Sequence, residues 1–486
     1  MNNNYLGKYL VIALALAVLT VSAGAATVTW NTTEGDWWET ANWDPSNTPV
    51  ASDTVIVDNG GTVLLDSGST PLIKYLYLGN SDGGSGTVIV GGNAELTDNG
   101  SAARNITIGK AAGSLGILTV KDNATVTAKG LEIATFGTGI MNVTDNAVIT
   151  VTNDQVVIAN NSDGVNGTLN LSGHASMVPL ATGANALKVI TMNGVSALNI
   201  SDFANLTVRS SINMYSSNAT LTLSDHATVN VDSINLGEGS TININSDQVK
   251  INTFDGNGPA NIGQYGGTIN LDHYGEFTFA NQLGGASLAV NALSGITTLT
   301  AANTYGGATT ISAGATLIAA SETALGVGNI TVKSNGTLAL AIEAPTFQAF
   351  SSLSEDGTTF IIGGDLTVET GGILQLAATD KLSVDGDLAF DGGLVLTYSD
   401  SWEPTELDLS DLILTNSEKN IALNIQTVTA TNGEETYIGT LSEGGVLGNW
   451  EVQPIPEPST WFLLGAGLGG LALLVIRRRR EDNLKI

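Results

Sequence analysis

The chain has 486 residues, no cysteine, 13% charged residues and a formal net charge of −29 at pH 7. That length allows a large core. The missing cysteine excludes a disulfide framework and a thiolate zinc site, and the acidic balance excludes nucleic acid as a partner.

Residues 1–25 read as a secretory signal peptide. Lys8 supplies a short basic region, Tyr9–Val21 is apolar, and Ala23-Gly24-Ala25 is a small-x-small cleavage site with cutting expected after Ala25. The apolar run is short for a membrane span. Residues 26–66 then hold four of the seven tryptophans, Trp30, Trp37, Trp38 and Trp43. A stack of strands leaves an open core at its end, and an aromatic cluster closes such an end well. This segment is therefore expected to be an N-terminal cap. A sugar-stacking platform of Trp37, Trp38 and Trp43 is the functional alternative.

Residues 67–282 carry a repeat. In the stretch Gly116–Ala134, Leu118 and Val120 alternate with polar residues, Asp122-Asn123 turns the chain, and Ala124, Val126 and Ala128 alternate again. Lys129-Gly130 makes a second turn before Leu131 and Ile133. Alternation by two marks strands, and each phase slip marks a corner. The corner recurs at Asn93-Ala94, Asn123-Ala124, Asn146-Ala147, His174-Ala175, Phe203-Ala204 and His226-Ala227. The intervals are 30, 23, 28, 29 and 23 residues. A supersecondary unit repeating at this period is the mark of a solenoid. Asparagine at the corner is expected to take the left-handed backbone angles. The expected fold is all-β: a right-handed parallel β-helix with a Trp-rich N-terminal cap and a C-terminal single transmembrane helix. At about 4.8 Å per coil the body would be a rod of roughly 70–80 Å.

Residues 283–397 continue the strands. Asn303-Thr304-Tyr305, Gly307, Thr309, Ile311, Gly314 and Leu317 resemble the autotransporter-associated β-strand repeat, and Ala324-Leu325-Gly326 and Gly328–Val332 extend the likeness. The resemblance implies one or two coils of a β-helix passenger, with a structural meaning. The long barrel of alternating strands that completes a true autotransporter has no counterpart here. Residues 398–453 read as a C-terminal cap and linker. Tyr398–Asp411 with Trp402 is the expected cap, and Glu451–Ile455 the linker.

Residues 454–486 form the most specific signal. Pro456-Glu457-Pro458 precedes the apolar run Trp461–Ile476, and Arg477, Arg478, Arg479 and Arg480 follow it. The run is near the lower limit for a membrane span, and the arginines would stay on the cytoplasmic side. The order of these parts resembles the PEP-CTERM sorting domain. That resemblance implies export by a Gram-negative bacterium that makes extracellular polysaccharide. It also implies recognition of Pro456-Glu457-Pro458 by an exosortase-like membrane protease. The chain would be anchored in the inner membrane before processing, and then reside at the cell surface or outside.

Chemistry is sparse. His174, His226 and His273 are the only histidines and lack spaced partners for a metal. Asp122, Asp145, Asp202 and Asp225 recur at one corner position. They read as solvated turn residues, with a calcium-binding ladder as the alternative. No catalytic residue, metal site or cofactor is expected. The expected function is a non-enzymatic structural or adhesive protein of the cell surface or polysaccharide matrix. The alternative is a protein that binds or degrades polysaccharide.

Overall fold

Leu118 and Val120 are completely buried, while Thr119 between them is half-buried. The strand Leu115–Val120 lies parallel and in register between Ser85–Val90 and Thr138–Val143. Leu118 therefore sits beside Val88 and Met141, and Val120 beside Val90 and Val143. The same stacking runs through the molecule, so one apolar column continues into the next. The computed structural model describes residues 25–453, apart from 99–104, 161–163, 181–186, 190–193, 216, 254–258, 342–356, 399–405, 416–419, 426, 432–434 and 443–444. The signal peptide, Ala23 included, and the tail with Pro456–Pro458 and Arg477–Arg480 lie outside the described residues, as does Trp402.

The architecture is an all-β parallel solenoid of about 14 turns with almost no helix. At about 4.8 Å between strands this makes a rod roughly 65 Å long. A turn in the first half has three short strands, as in Leu115–Val120, Thr125–Ala128 and Leu131–Ile133. The small corner residues Ala94, Ala124, Ala147, Ala175, Ala204 and Ala227 are fully buried, where a larger side chain would meet the strand opposite. Ser240–Gly263, irregular in sequence, supplies a full turn through Thr241–Ile244, Lys250–Asn252 and Asn261–Gln264.

Two corners depart from expectation or add to it. The left-handed residue at the first corner is the aspartate or glycine before the asparagine position. Asp122, Asp145, Asp202 and Asp225 have φ of 58°, 59°, 56° and 54°, and Gly92 and Gly173 fill the same place. Aspartate tolerates this region because its short side chain can bond locally. Where one turn closes onto the next, Gly86, Gly116, Gly139 and Gly167 stack in register. A Cβ on Gly116 would lie 2.7 Å from the Leu78 carbonyl oxygen, and one on Gly139 2.5 Å from that of Ile108. The close approach of two backbones requires glycine there.

From residue 289 the turns change shape. Ala289–Leu299 runs around a corner unbroken and pairs with both Thr309–Ile311 and Thr316–Ala319. Tyr305 is fully buried, and its hydroxyl lies 2.7 Å from that of Thr309, also buried. The buried carboxamide of Asn303 bridges two turns, accepting from Leu283 N at 2.8 Å and donating to Ala324 O at 2.6 Å. Asn303, Tyr305 and Thr309 are thus interior struts, whereas Thr304 and Gly314 lie at the surface.

Both ends switch to antiparallel pairing. At the N-terminal end Thr27–Trp30 pairs antiparallel with Trp43–Asp44 and parallel with Thr54–Val57. At the C-terminal end Thr427–Thr431, Thr436–Leu441 and Val446–Gln453 form an antiparallel meander. This meander closes the C-terminal end, and Leu407–Asp408 of the acidic stretch pairs antiparallel with Val446 and Leu447 in it. Glu451–Gln453, expected as linker, are paired with Thr436–Ile438. Among the described residues no helix is long and apolar enough to cross a membrane.

Gly139→Ala should cost about 1–3 kcal/mol, the range for overpacking a closed site. Thermal melts of the two forms measure it, and an unchanged melting temperature would mean that the corner is looser than described.

Candidate functional site

The tryptophan cluster divides into interior and surface. Trp30, Trp37 and Trp43 are buried, and Trp43 meets the other two edge-on at centroid distances of 4.8 and 5.1 Å. The Trp43 indole N–H donates to the Trp37 carbonyl at 2.8 Å. These three rings plug the end of the core, which is what apolar aromatic area does best. Trp37 and Trp43 therefore offer no ring to a sugar. Trp38 alone keeps an exposed face, with its N–H donated to the Ser67 carbonyl at 2.9 Å and Gly68 beneath its ring.

The acidic corner column is used between turns. The Asp122 carboxylate accepts from Gly92 N at 2.9 Å, Asp145 from Asp122 N at 3.1 Å, and Asp202 from Gly173 N at 2.9 Å. Asp225 continues the series with Asp202 N at 3.4 Å. Each carboxylate thus satisfies the left-handed backbone N–H of the preceding turn. These bonds, the Thr144 hydroxyl and nearby Lys121 hold the Asp145 carboxyl below its ordinary value. Among the described residues no three of His, Asp and Glu are grouped to hold a metal ion. Beside the column, Phe203 stacks between His174 and His226 at 5.1 and 4.5 Å, so the two histidines are two turns apart. His273 lies elsewhere, fully buried, with Nε2 2.7 Å from the Thr297 hydroxyl. Burial holds its imidazole below the ordinary value, against the opposing pull of Asp247.

A shallow, open cleft of about 420 Å3 lies on the side of the rod. Tyr77, Thr107 and Glu132 form its floor as a column on neighbouring strands. Lys110 projects its ammonium 3.4 Å from the centroid of the Tyr77 ring and donates to the Asn80 side-chain oxygen at 2.9 Å. Desolvation lowers the Lys110 value, and it raises that of the Tyr77 hydroxyl. The Thr135 hydroxyl is buried without a hydrogen-bond partner among the described residues, and the Phe136 ring is exposed at the rim. A volume at the small end of ligand sites, two aromatic rings and several hydroxyl and amide groups suit a sugar-sized polar ligand. Lys110 is held in place by Asn80 and the Tyr77 ring.

The strand Val446–Gln453 belongs to the C-terminal cap. The segment that follows decides how the chain is handled. Residues 454–480 match the PEP-CTERM protein-sorting motif. A PEP-CTERM motif implies an exported protein directed to the cell envelope or surface by an exosortase-type system. No curated protein matches the chain.

The cleft and the inter-turn role of the aspartates were missed in the sequence. Tyr77, Lys110 and Glu132 are spread over 55 positions of a repeat and only register brings them together. The tail, by contrast, is contiguous and announced itself.

Acidification from pH 7 should lower the melting temperature in two stages. His273 is kept below its ordinary 6.5, so the unfolded chain takes up that proton first and stability falls as pH drops below about 6.5. Asp145 is kept below its ordinary 3.8, so its contribution is full above that pH and lost as pH falls through its lowered folded value. Asp380, raised by burial, works in the opposite sense, its penalty being relieved between the two stages as pH falls through its raised folded value towards 3.8. His273→Gln should remove the first stage and keep the second. A melting point that rises steadily on acidification would contradict both assignments.

Proposed function

We propose that this exported solenoid is a non-enzymatic structural or adhesive element of the cell surface or of an extracellular polysaccharide matrix. The observation that carries this reading is the use of its polar side chains. The corner aspartates, Asn303 and the stacked His174-Phe203-His226 column are engaged in holding one turn to the next. A chain built as a continuous rod with closed ends, followed by a sorting signal, suits a spacer or scaffold better than a catalyst. In this reading Trp461–Ile476 is a single membrane helix with Arg477–Arg480 on the cytoplasmic side. An exosortase-like protease then acts at Pro456-Glu457-Pro458, and the matrix or envelope is the final partner.

The intact mass of the chain recovered from its native host tests the sorting step. A form starting near Ala26 and ending near Pro458 is expected in the outer fractions. A form in the inner membrane that still carries Trp461–Ile486 would mean that the tail is a plain anchor.

The side cleft favours a second reading, in which the rod binds polysaccharide. Trp38, the Tyr77–Lys110 pair and Phe136 would then contact sugar. Tyr77→Ala and Lys110→Ala should each weaken binding to a responsive polysaccharide about tenfold, the loss of roughly 1.4 kcal/mol. A polysaccharide panel with no response from the unmodified chain would remove this reading.

A further inference from the structure

The face of the rod built by nine successive strands from Ser85–Val90 to Ala289–Leu299 is paired in unbroken register along its outward columns. Two outward columns run along it. One begins at Thr87, carries Ile117, Ile140 and Ala197 among its threonines, and ends Thr220, Thr241, Thr268, Ala289; the other begins at Ile89 and is asparagine or threonine from Thr119 to Asn291. Neither column contains an ionisable residue, although the chain carries a net charge of −29. The acidic groups sit at the neighbouring corner instead, as Asp122, Asp145, Asp202 and Asp225.

The polar groups on this face are fixed and partly unspent. Asn170 donates to Asn142 and Asn199 to Asn170, both at 2.8 Å. Asn270 donates to Asn243 at 2.8 Å and Asn291 to Asn270 at 3.0 Å. A carboxamide in such a ladder keeps one N–H and one oxygen lone pair for an outside partner. The hydroxyls of Thr168, Thr241 and Thr268 make no hydrogen bond within the protein among the described residues. The result is an array of donors and acceptors spaced about 4.8 Å along the rod, over roughly 30 Å from Asn142 to Asn291, with a second polar column about 6.6 Å across it that Ile140 and Ala197 interrupt. Its side chains are already ordered, so a ligand pays little to immobilise them.

We infer that this Thr/Asn face binds an extended, uncharged polysaccharide chain lying along the rod axis. Such a chain repeats its hydroxyls at nearly the spacing of the turns. It carries no charge to be repelled by the acidic corner, whereas an anionic glycan meets that field directly. The inference deepens the polysaccharide reading above and rests on it, but it places the contact on a different surface from the side cleft.

The test is co-sedimentation of the detergent-solubilised full-length chain with insoluble β-1,4-glucan, β-1,3-glucan and chitin, with alginate gel as the anionic comparison. Binding to at least one neutral glycan is expected, changing less than about twofold when salt is raised tenfold, as befits an uncharged ligand. Thr241→Lys and Thr268→Lys should each reduce it about tenfold, with an unchanged melting temperature showing that the fold is kept. Thr150→Lys, half-buried on a different face, should bind as the parent does. Binding that survives both face variants but is lost in Tyr77→Ala would overturn the inference and leave the polysaccharide reading standing. Binding to alginate alone would overturn the inference and leave the polysaccharide reading standing, and binding to no glycan would overturn both. A concentration-dependent dimer abolished by the face variants, without glycan binding, would make the face a contact between copies and would also overturn it.

Discussion

No turn of this molecule can bury its own apolar side. The whole structure depends on parallel, in-register stacking, which sets Leu118 against Val88 and Met141 and repeats that contact from cap to cap. Stability is then a sum over neighbouring turns, and the two terminal turns are the weak points. The chain answers this at one end with three buried indoles and at the other with strands that reverse direction. Reversal also blunts the exposed hydrogen-bonding edges on which other strands would add.

The stacking rule explains why most of the fold was legible in the sequence. Strand alternation and the buried alanine after each corner are local patterns, and each recurs often enough to be read against its copies. The glycine column was present but silent, because Gly86, Gly116, Gly139 and Gly167 differ from ordinary turn glycines only in what approaches them. The left-handed site was placed one residue late, since both Asp122 and Asn123 suit a turn and only the backbone angle separates them. At the C-terminal end acidity and irregular spacing are local, whereas the antiparallel pairing that joins Leu407–Asp408 to residues 427–453 is not.

The candidate sites show the same division. The sorting tail is a contiguous signal and needs no fold to be recognised. The Tyr77–Lys110 cleft and the uncharged Thr/Asn columns exist only once turns some 20 to 30 residues apart are set side by side. A composition rich in threonine and asparagine hides them, since the same residues are ordinary strand and turn formers. The tryptophans mislead in the opposite direction: three of the four near the start form a plug, and their conspicuousness in sequence reflects core volume and not a binding role.

The direction of the backbone hydrogen bonds has a mechanical consequence. In a solenoid they point from turn to turn, along the rod, and Gln453 leaves the described structure at one end of it. A load applied between the two ends therefore pulls turns apart one after another, as a zipper opens, and does not shear many bonds at once. Opening one end turn exposes the next without disturbing those beyond it. Stretched between its ends, the rod yields by shedding terminal turns one at a time.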